Sequence, residues 1–267
     1  MQLDGAVALV TGAGSGIGRA LAVELSVRGA VPILLGRNLA ALEETRSLLA
    51  SPAAGRVLAL DLADEQARAG IARRVAELSD RLDLLVNNAG VVEAGPLDGQ
   101  PEAAWRQMVE VNLLAPMSVT RALLPMLQAS GRGRVVNVGS MFGDIGFPFF
   151  AAYSATKFGL RGWSDALRRE VADSGVTVTY CAPRGTRTAA ADGFARYVDV
   201  FAMRLDPADL VARRIADGIA SGARDIYPRG PERLFVLVQR LFPRLVDQAL
   251  RDQTRKAAGR VRMVSGS

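Results

Sequence analysis

Short apolar runs, several of them β-branched, alternate along this chain with longer stretches of helical periodicity. The strand-like runs are Ala6–Thr11, Val31–Leu35, Arg56–Leu60, Leu82–Val86, Gly133–Val138 and Val176–Cys181. Helical patterning fills Ile17–Arg28, Leu39–Leu49, Glu65–Leu78, Ala103–Leu127 and Ala151–Asp173. This alternation predicts right-handed crossovers, hence a parallel sheet covered on both faces. After Cys181 the pattern loosens. Residues 183–205 follow the carboxyl end of a strand, where doubly wound folds place ligand-covering loops, and are expected to form a substrate lid. Asp206–Ser221 reads as a helix with Pro207 in its first turn, and Asp225–Tyr227 as a short closing strand. Residues 231–250 read as an amphipathic helix bent at Pro243. No linker or repeat breaks residues 1–250, so one α/β domain is expected, followed by a flexible basic tail over 251–267.

Composition narrows the chemistry. The 267 residues are 49% hydrophobic and 22% charged, which is globular rather than disordered. The net charge is +6, but the tail carries five basic side chains and one acidic one. The body is therefore near neutral, and no nucleic-acid partner is expected. Histidine is absent, which excludes Ser-His-Asp hydrolysis and His-ligated zinc. Cys181 is the only cysteine, so there is neither an internal disulfide nor a thiolate cluster, and no metal site is expected. Lysine occurs only at Lys157 and Lys256, against 31 arginines. A strand opens already at Ala6, and no apolar run reaches the ~18 residues of a spanning helix. A cytoplasmic protein is expected.

The first strand runs into Gly12-Ala13-Gly14-Ser15-Gly16-Ile17-Gly18, and a helix follows at once. Glycines in such a turn bring backbone N–H groups against a pyrophosphate at the helix N-terminus. The loop lacks the Lys-Ser/Thr of a P-loop, and its place in a βαβ unit favours dinucleotide binding. At the end of the second strand Gly36 stands where an acidic residue would bind the ribose of NAD, and Arg37 follows it. A guanidinium there suits a 2′-phosphate, so NADP(H) is favoured over NAD(H).

These motifs, with Asp61-Leu62, Asn87-Asn88-Ala89-Gly90, Asn112, Ser140 and Tyr153-Ser154-Ala155-Thr156-Lys157, resemble the short-chain dehydrogenase/reductase family over nearly the whole chain. The resemblance implies a Rossmann-type oxidoreductase that moves hydride between NAD(P)(H) and an alcohol/carbonyl pair. It implies Tyr153 as acid/base, Lys157 as its activator and ribose anchor, and Ser140 as the carbonyl positioner. It also implies that the Asn112 main-chain carbonyl holds a water. The chemistry is consistent with this: a phenol near pKa ~10 needs a neighbouring cation to work near neutrality. Tyr153 and Lys157 at i,i+4 share a helix face. Pro116 has no N–H to bond the Asn112 carbonyl, which leaves that oxygen free or kinks the helix. The expected cofactor contacts are Gly12, Gly14, Ser15, Gly16, Ile17, Gly18, Arg37, Asp61, Leu62, Asn87, Ala89, Gly90, Tyr153, Lys157, Pro183, Gly185 and Thr188. A non-catalytic dinucleotide sensor on the same fold would be expected to lack one of the catalytic residues, and none is lacking.

One position departs from the family pattern. Arg184 occupies the place of a usual glycine in Pro183-Arg184-Gly185, and with Arg187 it reads either as an anion contact or as solvent-facing. The loop between Ser140 and Tyr153 holds four of the nine phenylalanines. With Ser140 and Tyr153, Phe142 and Phe147 are the expected substrate contacts, which tilts the substrate towards a lipophilic ketone or alcohol. The long helices Ala103–Leu127 and Ala151–Asp173 are expected to pair between subunits of a homodimer or homotetramer. The 231–250 helix, with Arg233, Arg240, Arg244 and Arg251 along it, either packs on the core or a subunit or meets a membrane surface or partner, and a scaffold bound to membrane through it is a third functional reading.

Overall fold

Strand β1 (Val7–Thr11) is flanked in the sheet by two strands that arrive from opposite directions of the winding. In this computed structural model, residues 1–188 and 193–264 are described, 256–264 as backbone alone. The remaining strands are β2 (Val31–Gly36), β3 (Arg56–Ala59), β4 (Leu84–Asn87), β5 (Arg134–Val138), β6 (Thr177–Cys181), β7 (Thr186–Arg187), β8 (Asp206–Pro207) and β9 (Asp225–Ile226). Seven form one sheet in the order β3-β2-β1-β4-β5-β6-β9, and every neighbouring pair is parallel. Leu9 lies opposite Ile33 on one side and Leu85 on the other. The winding reverses between β1 and β4, which opens a crevice at their carboxyl ends. Strands β7 and β8 make a separate two-stranded ladder beside it.

Strand periodicity divides the core into two layers. Ala8, Val10, Leu34, Val136 and Val138 face one side, where α1 (Gly16–Val27) supplies Leu21 and Leu25. Leu9, Ile33, Leu35, Leu85 and Val135 face the other. The intervening helices are α2 (Leu39–Ser47), α3 (Glu65–Ala69), α4 (Ile71–Ala76), α5 (Glu102–Val109), α6 (Ala115–Ala129) and α7 (Ala151–Glu170). Leu123 of α6 and Leu167 of α7 pack on the second layer. Beyond β6 come α8 (Ala195–Val200), α9 (Ala208–Ser221), α10 (Glu232–Leu241) and α11 (Pro243–Val264). Ile215 and Ile219 of α9 join Leu21 and Leu25 on the first layer. The predicted single α/β domain with a doubly wound parallel sheet is thus observed.

Three predicted helices differ from the observed ones. Glu65–Leu78 divides into α3 and α4 at Gly70. Ala103–Leu127 divides at Glu110–Leu114, where one π-turn joins α5 to α6 and the Ala115 amide bonds back to the Glu110 carbonyl. The 231–250 helix breaks at Phe242, with φ −137 and ψ 61, because Pro243 cannot continue it. Its second half continues as helix to Val264, through the segment expected to be a flexible tail. Residues 189–192 of the expected lid and 265–267 lie outside the described residues.

Candidate active site

The glycine loop lies at the reversal point of the sheet and forms one wall of a cleft of about 520 Å³. Two close backbone approaches fix its shape. A Cβ on Gly12 would stand 3.0 Å from the Ala89 Cα, and one on Gly18 only 2.2 Å from the Gly12 carbonyl oxygen. Gly18 is therefore a packing residue under the loop, whereas Gly12, Gly14, Ser15, Gly16 and Ile17 line the cleft. The Ser15 side chain caps none of the α1 amides, and the first turn of α1 holds no acidic residue. The positive end of this helix therefore faces the cleft, which suits a pyrophosphate. Arg19 braces the loop from behind by donating to the Gly14 carbonyl at 2.6 Å and pairing with Glu44 at 2.7 Å. Thr188 closes against Gly16, leaving 2.8 Å between its Cγ2 and a Cβ placed there.

Farther along the same cleft, Gly36, Arg37, Asp61 and Leu62 form the wall beyond β2 and β3. Arg37 is exposed, and Asp61 accepts from the Ala63 amide at 2.9 Å. Ala89, Gly90, Pro183, Gly185 and Thr188 also line it. Asn87 does not. Its side chain is buried and donates to Thr120 at 3.0 Å and Asn137 at 2.9 Å, tying β4 to β5 and α6. The neighbouring Asn88 lines the cleft instead and donates to the Thr11 carbonyl at 2.9 Å. The Thr11 hydroxyl accepts from the Asn88 and Ala89 amides, each at 2.9 Å, so the ends of β1 and β4 are clamped together.

Tyr153, Lys157 and Ser140 meet in the middle of the cleft. The first turns of α7 bring Tyr153 and Lys157 to one face, with the Lys157 Nζ 5.6 Å from the phenol ring centre. Lys157 is 4% exposed and donates to the Val138 carbonyl at 3.1 Å. Burial pushes its amine down to about 8. Burial likewise pushes the Tyr153 phenol up to about 12, against a downward pull from the Ser140 hydroxyl. Ser140 follows β5, and its hydroxyl accepts from the Phe142 amide at 3.1 Å. Beneath it Tyr180 is fully buried, its hydroxyl 3.3 Å from the Ser140 carbonyl.

Asn112 sits just behind this group, within the π-turn. Its side chain accepts from the Val91 amide and donates to the Val91 carbonyl, each at 2.8 Å, and it also donates to Thr156 at 3.2 Å. It thus locks the Gly90 turn to the helix pair. Pro116 follows in the first turn of α6, with no N–H to bond back into the π-turn.

The pocket beside Tyr153 is apolar, lined by Phe142, Phe150, Phe194 and Met203. Phe147, expected as a substrate contact, stands behind this wall, stacked on Phe142 at 4.8 Å and edge-on to Phe201 at 5.0 Å. Phe194 and Met203 bracket α8 and fall within the segment 183–205 expected to cover the substrate, although the sequence pattern does not single them out. Arg184 lines the cleft, and its guanidinium is engaged by carboxylates of the protein. It pairs with Glu232 at 2.9 Å and Asp206 at 3.3 Å. Arg187 is exposed. Among the described residues there is no group of side chains able to hold a metal ion, and no helix is long and apolar enough to cross a membrane.

Comparison with known proteins matches residues 6–196 to the family model described as short chain dehydrogenase. Dehydrogenase/reductase SDR family member 7B of Rattus norvegicus is 33% identical over 270 residues, covering 95% of this chain and 83% of the rat protein. The Escherichia coli 3-oxoacyl-acyl-carrier-protein reductase FabG is 34% identical over 183 residues, 68% of this chain and 74% of its own. A short-chain dehydrogenase from Sphingobium yanoikuyae, solved in complex with NADPH, superposes with a TM-score of 0.78 at 26% identity, covering 91% of this chain and 95% of that one. A short chain dehydrogenase/reductase from Burkholderia phymatum, solved with NAD, has the same fold, with a TM-score of 0.83 at 23% identity over 92% of this chain and 96% of that one.

Proposed function

The chain belongs to the short-chain dehydrogenase family of NAD(P)-dependent oxidoreductases acting on CH–OH groups, and on that premise we propose that it interconverts a lipophilic ketone and its alcohol, with NADP(H) as preferred coenzyme. The observation that carries this reading is the meeting of Tyr153, Lys157 and Ser140 in the cleft that the glycine loop lines.

A bound nicotinamide dinucleotide supplies the hydride. In the proposed reaction the chain's residues handle the proton. Tyr153, its phenol held up at about 12, stays protonated near neutrality and donates to the carbonyl oxygen as negative charge develops there. The Ser140 hydroxyl holds that oxygen beside the phenol. Lys157, whose amine is held near 8, anchors the nicotinamide ribose and returns a proton to Tyr153. The Asn112 main-chain carbonyl holds the water of that relay, while its side chain keeps the Gly90 turn in place. Phe142, Phe150, Phe194 and Met203 exclude water from the reacting centre.

Support for a ketone substrate comes also from the name of the E. coli relative, a 3-oxoacyl reductase. Support for NADP(H) comes from Gly36 and Arg37, which put a guanidinium and no carboxylate at the end of β2. We also assign subunit pairing to the α5–α7 region, where Val109, Leu114 and Phe158 are exposed. The test is a spectrophotometric screen of ketones and alcohols of graded chain length with NADPH and NADH. Rates should climb with chain length and favour NADPH. Absence of coenzyme turnover across the whole series would overturn the reading.

A further inference from the structure

Helix α10 is mounted the wrong way round for a helix that serves the core. Its buried apolar residue is Val236, which packs on Met141, Tyr180 and Ala182. The richer apolar stripe points away from the protein: Leu234, Leu237 and Leu241 are 59%, 51% and 61% exposed. Phe235 and Phe242, at 52% and 57%, widen the stripe, and Leu245 carries it across the break into α11 at 59%. Six of the large exposed hydrophobic side chains thus fall within twelve consecutive positions. A contiguous patch of this kind marks an interaction surface.

Charge identifies the occupant. Residues 232–264 hold eight basic and three acidic side chains, which is five of the chain's six net positive charges. Arg233 and Arg240 flank the stripe on α10, and Arg244, Arg251 and Arg255 are exposed on α11. A second copy meeting this face about a twofold axis would bring an equal positive charge against it. The exposed apolar side chains of α5–α7 offer copies a seam without that repulsion. An anionic bilayer surface satisfies both features at once, since it takes up an apolar helix face and neutralises the flanking arginines.

We propose that α10 and α11 form a lipid-docking face that seats this protein on anionic membrane surfaces. The face lies in the interface rather than spanning it. It also lies on the lid side of the cleft, because α11 packs against α8, the helix between Phe194 and Met203.

The experiment is co-sedimentation of the full chain with phosphatidylcholine vesicles with and without phosphatidylserine, together with light scattering in the absence of lipid. The wild type should pellet with the phosphatidylserine vesicles and be released by raised salt. Leu237→Glu/Leu241→Glu, which alters exposed positions only, should abolish pelleting while retaining turnover of a water-soluble ketone. Arg244→Ala/Arg251→Ala should weaken binding about thirtyfold, the effect of two arginines near an anionic surface. Three results would each overturn the proposal: a wild type that stays in the supernatant, a Leu237→Glu/Leu241→Glu variant that pellets as well as wild type, or a fall in oligomer mass caused by that variant without lipid.

Discussion

Arg184 and Glu232 meet at 2.9 Å, with 13% and 16% of their side chains exposed. The same guanidinium lies 3.3 Å from Asp206 and donates to the Arg229 carbonyl at 3.0 Å. An arginine standing where the family usually has glycine thus joins the end of β6 to the start of α10 and to β8. Replacing it by glycine leaves the Glu232 carboxylate mostly buried without its cation, at a cost of about 3 kcal/mol. Calorimetry of Arg184→Gly should therefore give a melting temperature clearly below wild type. Adding Glu232→Gln should recover part of the loss, because the stranded charge goes too. Equal melting temperatures for Arg184→Gly and wild type would show that the pair contributes nothing to stability.

Tyr153→Phe keeps the ring and removes the proton. Turnover should fall by about 10²–10⁴-fold, the usual worth of a placed general acid. Coenzyme affinity, followed by fluorescence titration, should stay within a few fold of wild type. A variant with near-normal kcat would remove Tyr153 from the mechanism.

Lys157 is held near 8 against an ordinary value of 10.5. Between those values the unfolded chain binds more protons than the folded one, so this residue makes stability rise with pH across that window. Below pH 8 the cost of burying the ammonium is fully present. Lys157→Met should therefore stabilise the coenzyme-free protein at pH 7 by up to ~3 kcal/mol, and its advantage should fade between pH 8 and 10.5. The quantity to compare is the difference in urea stability between the two proteins. The wild-type curve alone also carries the buried Cys181 thiol, pushed up to about 12, which lowers stability above pH 9.

The proposed coenzyme preference rests on Gly36 and Arg37. Wild type should bind NADPH about tenfold to hundredfold more tightly than NADH, the range expected for losing charge-assisted hydrogen bonds to a phosphate. Arg37→Ala should collapse that ratio, and added salt should narrow it because Arg37 is exposed. Gly36→Asp should invert it. A Cβ there stands 3.3 Å from the Leu42 Cδ2, so the new side chain needs only a small shift of a leucine end. If Arg37→Ala leaves both affinities unchanged, the arginine is merely solvated.

The pairing seam we propose includes Val109, Leu114 and Phe158, which are 41%, 41% and 45% exposed. Light scattering at micromolar protein should return a dimer or tetramer. Leu114→Glu/Phe158→Glu should return monomer, since two buried carboxylates would face an apolar partner. A monomeric wild type would contradict the assignment.

The layered fold is legible in the sequence because parallel strands buried on both faces are written as short apolar runs. Val31–Leu35 and Gly133–Val138, for example, differ from the observed strands by only one residue. The coenzyme end of the cleft is legible too, because it consists of main chain whose course glycines record. Asn87 and Asn88 are nevertheless exchanged in role, since alternation along a strand end does not tell which side chain turns inward, and Gly18 packs under the loop without lining the cleft. The substrate end is less legible. Phe142 and Phe147 look equivalent in the sequence, and only the turn of the loop puts one in front of the other. The orientation of α10 is hidden for a different reason. Periodicity reveals an apolar face but not whether the core is what it faces.

The π-turn at Glu110–Leu114 places one residue more in a helical turn than α5 or α6 would use. It is in effect an insertion absorbed without a loop. Removing one residue between Glu110 and Leu114 would let an unbroken α-helix run through with α5 and α6 kept nearly in phase, because the wide turn covers with one extra residue about the rotation that an α-helix completes without it. What the deletion takes away is the bulge itself, and with it the position from which Asn112 reaches Val91. The extra residue therefore serves the protein's interior chemistry: the outer faces of the two helices would survive its loss, and the tie to the Gly90 turn would not.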